Sequence, residues 1–140
     1  MEIRKFTDAD SDQLKALWRL TLPDEAPYNQ PDYSLAAKLA FDDMIFVAAG
    51  GGTLLGSVMA GYDGHRGWLY CVCVAPEYRR RGLGGQLVQH ALAALTHKGC
   101  AKVNIQIRED NQAAAGFYAT LGFAVEARIS MGIQLPQPLR

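Results

Sequence analysis

Hydrophobic and polar positions change their period several times along the chain, and each change marks an element. Glu2 to Phe6 alternates as a short strand. Thr7-Asp8 then offers side-chain oxygens to cap a helix in which Leu14, Leu17, Trp18 and Thr21 recur at helical spacing. Pro23 to Pro31 reads as loop, and Ser34 to Phe41 as a second short helix with Leu35, Ala36 and Leu39 on one side. Met44 to Ala49 and Thr53 to Tyr62 are apolar and β-branched runs joined by Gly50-Gly51-Gly52, which predicts a hairpin. Asp63-Gly64-His65-Arg66-Gly67 is a second turn, and Trp68 to Val74 a third strand of the same meander, ended by Pro76.

Helical periodicity returns from Gly82 to Lys98, where Leu83, Leu87, Ala91, Leu92 and Leu95 form one stripe and Gly99 stands where a helix end favours a left-handed residue. Lys102 to Arg108 alternates Val103, Ile105 and Ile107 with polar residues and predicts a strand. Asn111 caps a helix running to about Leu121 and closed by Gly122. Phe123 to Ala127 and Ser130 to Leu135 predict two last strands. This order implies an α/β fold with a mixed sheet of α+β type, an antiparallel meander followed by strand–helix–strand units. No repeat or low-complexity tract interrupts it, and a length of 140 residues suits a single domain over 1–140.

Composition narrows the classes. Hydrophobic residues make up 49% and charged residues 20%, the profile of a folded protein rather than a disordered one. Lys plus Arg and Asp plus Glu are equal at 14 each, so no net field draws the chain to nucleic acid or an anionic membrane. The start, MEIRKF, has no basic segment followed by an apolar core, and no apolar run nears the roughly 20 residues that span a bilayer. Cytoplasmic residence is the expectation. Cys71 and Cys73 lie two apart in a strand, about 7 Å by strand rise, too far to pair easily. With Cys100 they make no zinc spacing either, so buried thiols and no metal are expected.

The chemistry concentrates in Val74 to Leu95, where Arg79, Arg80 and Arg81 run into Gly82, Leu83, Gly84 and Gly85 at the start of the strongest helix. A helix N-terminus carries unpaired N–H groups and partial positive charge, and glycines there let an anion lie on bare backbone. Arginine adds charge-assisted bonds. The turn lacks the P-loop pattern and the dinucleotide glycine fingerprint. A solvated arginine run beside a flexible turn is the plainer alternative, outweighed by the strand before and the helix after it. Arg79-x-x-Gly82-x-Gly84 behind Val72-Cys73-Val74, with Asn111 and Phe117-Tyr118-x-x-Leu121-Gly122-Phe123 downstream, resembles the GNAT superfamily of acetyl-CoA-dependent N-acetyltransferases. The resemblance implies that the diphosphate of acetyl-CoA meets Arg79 to Gly85. It implies that main-chain groups of Val72, Cys73 and Val74 hold the pantetheine and acetyl oxygen, and that Asn111 and Tyr118 contact the cofactor. Tyr118 is the implied catalytic acid toward the CoA sulfur, against the alternative of a core tyrosine with a satisfied hydroxyl. The acetyl group passes directly to an amine in a ternary complex, with no metal and no covalent Cys73 intermediate.

The proton acceptor stays open. Some peptide-acetylating relatives carry glutamate where this chain has Gln106, which cannot take a proton. Asp63 and His65 in the turn, Glu109 after the fifth strand, and a water relay are the alternatives, His65 reading first as an exposed turn residue. The stretch GYDGHRG resembles that of short bacterial GNAT proteins and names no acceptor; Trp18, Asp24, Glu25 and Tyr28 point faintly to a polar or cationic amine. Two other classes compete: a non-catalytic acyl-CoA sensor, motivated by Gln106 and opposed by Tyr118, and a nucleic-acid binder at Arg79 to Arg81, opposed by zero net charge. Many family members dimerise, and no residue here marks an interface.

Overall fold

A computed structural model of the chain describes residues 1–136. It divides into two compact units, the first Met1–Gln106 and the second beginning at Ile107. The first unit holds a five-stranded sheet in the order β1 (Glu2–Lys5), β2 (Ile45–Gly50), β3 (Thr53–Tyr62), β4 (Gly67–Val74) and β5 (Val103–Asn104). The first four strands are antiparallel neighbours, and β5 joins β4 in parallel after a helical crossover. Among the described residues no helix is long and apolar enough to cross a membrane.

Period and burial agree. In α1 (Ser11–Thr21) the buried positions Leu14, Leu17 and Trp18 form one stripe, and with Leu35 of α2 (Pro31–Phe41) they pack on Ile45, Val47 and Met59 of the sheet. The alternate residues of β2 face the other way, where Phe46 meets His90 of α3 (Leu83–His97) edge-on at 4.8 Å. Leu83, Leu87, Val88, Ala91 and Leu95 of α3 are buried. With both faces covered, β3 is buried without interruption from Leu54 to Ala60, the pattern of a central strand. Gly56 lets α3 come close, since a Cβ there would meet the Cys73 carbonyl at 2.7 Å and Leu87 Cδ1 at 2.9 Å.

Four expectations change. Helix α2 begins at Pro31 rather than Ser34, because proline at the first helical position presets the backbone angle and needs no N–H bond. The fifth strand shrinks from Lys102–Arg108 to Val103–Asn104, because alternation alone makes no strand and, among the described residues, β4 pairs with it at Gly67 and Trp68 alone. Phe123–Ala127 and Ser130–Leu135 join no sheet among the described residues. Their alternation is of strand type, yet Val125, Ile129, Met131 and Ile133 are almost fully exposed, and a strand exists only with a partner ladder.

The N-terminal connection is held by charge. Asp10 is buried and takes both terminal nitrogens of Arg4, at 2.7 and 2.9 Å, while its Oδ2 also accepts from the Thr7 N–H at 2.8 Å. The hydrogen bond from Arg4, more than the Thr7 N–H, holds the Asp10 carboxyl below its ordinary range despite burial. A carboxyl held low in the folded state stabilises it above the ordinary carboxylate range, and this contribution is lost as pH falls through the folded value. Asp10→Asn should therefore lose about 1–3 kcal/mol at neutral pH in denaturant melts and lose less further stability than wild type on acidification; parallel acid profiles would contradict this.

Candidate active site

The defining feature is where β4 breaks away from its neighbours. Gly56 faces Val74, Ser57 faces Cys73 and Met59 faces Tyr70, so Cys71 and Val72 together oppose Val58 alone. This is a β-bulge, and Cys71 takes its left-handed position at φ 52°, a place glycine usually fills. Such a conformation costs on the order of 1–3 kcal/mol for a residue with a side chain, so its surroundings must enforce it. The hydrogen bond that does so comes from the Ser57 hydroxyl, 2.9 Å from the Cys71 carbonyl oxygen. Beyond the bulge Cys73 and Val74 pair with β3 on one edge, and among the described residues no strand pairs with Val72, Cys73 or Val74 on the other.

The chain then enters the glycine-arginine turn. Pro76–Tyr78 form a single 3₁₀ turn, and Arg79 Nε donates to the Val74 carbonyl at 3.0 Å, which fixes where the loop leaves the strand. Arg81 lies 5.5 Å over the Tyr78 ring. Arg80 at φ 64° and Gly82 at φ 76° are both left-handed, the kind of backbone that turns successive N–H groups into a concave anion site. The first bond into α3 runs from Gln86 N to Gly82 O, so the N–H groups of Leu83, Gly84 and Gly85 belong to the first turn and point out of its end. Gly82 caps the helix with no side chain across it.

The second unit carries Asn111 and Tyr118 on α4 (Gln112–Thr120). Asn111 Oδ1 accepts from Ala114 N at 3.1 Å, the expected cap. At the other end Phe123 N bonds the Tyr118 carbonyl at 3.1 Å and Gly122 N bonds that of Ala119 at 3.1 Å, with Gly122 at φ 95°. That is a Schellman closure, and its usual apolar contact is the Tyr118–Phe123 ring pair at 5.5 Å. Phe117 meets the same buried Tyr118 ring from another side at 4.9 Å. The spacing of Tyr118, Gly122 and Phe123 is thus dictated by the helix end, which holds the tyrosine backbone and ring.

Family models place the chain. The model described as "Acetyltransferase (GNAT) family" matches residues 12–123. The chain belongs to the GNAT acetyltransferase family. A Yersinia pestis (strain Pestoides F) protein named acetyltransferase is 40% identical to this GNAT chain over 136 residues, 96% of each. Two solved structures share its fold at lower identity. PaiA N-acetyltransferase from Thermoplasma acidophilum, in complex with coenzyme A, has a TM-score of 0.76 at 20% identity, over 91% of this chain and 92% of that one. AAC(6′)-Iy, in complex with the bisubstrate analogue CoA-S-monomethyl-acetylneamine, has a TM-score of 0.78 at 21% identity, over 96% and 98%. The GNAT mixed α/β architecture read from the element order is the observed one.

The candidate proton acceptors separate by their partners. Asp63 Oδ1 accepts from Arg66 N at 2.7 Å and His65 N at 2.8 Å, and these backbone donors hold its carboxyl below the usual range, a poor match for a base near neutrality. His65 is exposed at the hairpin tip, 3.5 Å from Arg66 Nη2. Residue-level reasoning missed the bulge and the buried contact beneath it, because a cysteine gives no signal of a left-handed backbone and Ser57 sits unremarked inside an apolar run.

The thiols are kept neutral. Burial, followed by the nearby Cys73, pushes Cys71 up to about 12, and burial raises Cys73 as well. The thiolate is the reactive form of cysteine, so neither residue is an activated nucleophile. At pH 8, iodoacetamide should leave Cys71 and Cys73 of the folded protein unmodified by mass spectrometry under conditions that alkylate both in the denatured chain; rapid labelling of folded Cys73 would contradict this.

Proposed function

We propose that this chain is an N-acetyltransferase that moves an acetyl group from acetyl-CoA to a primary amine by direct transfer in a ternary complex. The observation that carries the proposal is the left-handed glycine-arginine turn at the start of α3, set after the strand end whose outer edge no strand pairs with among the described residues. Family membership and neighbours crystallised with coenzyme A or a CoA conjugate support it. The match over residues 12–123 runs through the boundary between the two units, which supports reading them as one acetyltransferase domain.

In this reading the N–H groups of Arg81 to Gly85 hold the CoA diphosphate, with Arg80 and Arg81 adding charge and Arg79 pinning the loop. Main-chain groups of Val72 to Val74 hold the pantetheine arm and donate N–H bonds to the acetyl carbonyl as negative charge develops on its oxygen. The neutral amine nitrogen attacks the thioester carbon, the C–S bond breaks as the tetrahedral intermediate collapses, and the thiolate takes a proton. Tyr118 supplies that proton. The nitrogen loses its own to water or to one of His65 and Glu109, since Gln106 cannot take it and Asp63 is tied to backbone donors. Asn111 contacts the cofactor while capping α4.

Two variants test the parts separately. Gly84→Val places a branched side chain in the first turn of α3 and should weaken acetyl-CoA binding at least ~10-fold by calorimetry without unfolding the protein; unchanged affinity would remove the loop from the site. Tyr118→Phe keeps the ring contacts and removes only the hydroxyl, so kcat should fall by about 10²- to 10⁴-fold while acetyl-CoA affinity holds. Turnover equal to wild type would assign the proton elsewhere. Acetyl-CoA binding with no transfer to any amine in a broad screen would favour the sensor reading.

A further inference from the structure

We propose that Ser57 is a positioning residue for acetyl transfer, its hydroxyl turning the Cys71–Val72 peptide so that the Val72 N–H faces the acetyl carbonyl. This rests on the acyl-CoA reading above and goes beyond it by assigning what aims the backbone donor. Among the described residues Asp10 and Ser57 are the polar side chains that are buried, and Ser57 is wholly so. Its oxygen has one hydrogen and two acceptor positions. The indole Nε1 of Trp18 donates to it at 2.9 Å. The Cys71 carbonyl, 2.9 Å away, can only accept, so it takes the hydroxyl hydrogen. Cys73 Sγ lies 3.3 Å from the same oxygen. The Trp18 donor and the accept-only Cys71 carbonyl together set the orientation of the hydroxyl.

That orientation decides where the next N–H points. In a trans peptide the N–H of Val72 lies antiparallel to the Cys71 carbonyl. With the carbonyl drawn toward Ser57 and the α1 side, the N–H is directed away from it, at the bulge where regular pairing with β3 is interrupted and no β5 residue pairs. A backbone donor fixed beside a reacting carbonyl needs no reorganisation as charge develops, which is the condition for oxyanion stabilisation. Ser57 touches no substrate in this arrangement. It acts through the peptide it holds, and Trp18 acts through Ser57.

The test reads the carbonyl itself. Infrared difference spectra of [1-¹³C]acetyl-CoA bound to the wild-type protein should show the thioester C=O stretch displaced to lower frequency than in solution. In Ser57→Ala the stretch should return at least halfway to the solution value, with kcat reduced about 10- to 100-fold and the acetyl-CoA Kd within about twofold of wild type. Ser57→Thr, which keeps the hydroxyl, should restore the displaced stretch. A purely structural serine would lower the melting temperature of Ser57→Ala and leave its stretch displaced, and that result overturns the inference while the acyl-CoA site stands. If Ser57→Ala does not fold, Trp18→Phe removes the donor to the same hydroxyl and should move the stretch part of the way; an unmoved stretch there also overturns it. A wild-type protein that binds no acetyl-CoA overturns both the site and the inference.

Discussion

A strand inside a sheet uses its N–H and C=O groups on both neighbours and so has none to offer a ligand. Strand β4 escapes this because the bulge at Cys71 and Val72 interrupts it while β5 pairs only at Gly67 and Trp68. Past the bulge Cys73 and Val74 are held by β3 on one edge, and among the described residues no strand runs along the other edge of Val72 to Val74. Everything chemical in the first unit hangs on that interruption. Regular pairing along all of β4 would close the edge on which the proposed pantetheine and acetyl contacts lie.

The interruption is itself costly, since Cys71 sits in a left-handed conformation that a side chain disfavours. A buried polar contact lies beneath it. Trp18 from α1 and Ser57 from the centre of β3 meet there, and the hydroxyl draws the Cys71 carbonyl out of the sheet ladder. Helix α1 therefore does more than cover the sheet: its indole is one of the groups that hold the bulge. On the same strand the thiols stay protonated, which leaves main chain rather than sulfur as the chemical surface. Charge is organised just as locally. A chain of zero net charge places Arg79 to Arg81 at one helix start, where backbone N–H groups already point outward.

Much of the fold was legible because its signals are local. Glycine marks the helix ends: Gly99 and Gly122 are left-handed and close α3 and α4 by the same pair of bonds. The hairpin at Gly51-Gly52 is left-handed at both residues, as the glycine run predicts. The turn from Arg79 to Gly85 stood out as a turn at a helix start because glycine is informative there, and Gly82 takes the left-handed cap position. What escaped depends on partners distant in sequence. Residues 105–108 alternate like a strand yet belong to no strand of the sheet among the described residues, and Val125 to Ile133 alternate with exposed side chains. No pattern of periods reports whether a partner exists. The bulge escaped for a related reason, since Cys71, Ser57 and Trp18 are separated in the chain and meet only once three elements have packed.

The central claim is that the interrupted end of β4 and the glycine-arginine turn form one acyl-CoA surface made of backbone. Amide chemical shifts, followed by NMR while acetyl-CoA is titrated into ¹⁵N-labelled protein, test it most directly, because each N–H reports on itself. The account predicts the largest changes in two stretches together, Val72 to Val74 and Arg81 to Gly85, saturating with one affinity. Saturable binding that leaves both stretches unshifted, or that moves only the side-chain signals of the arginines, would contradict it.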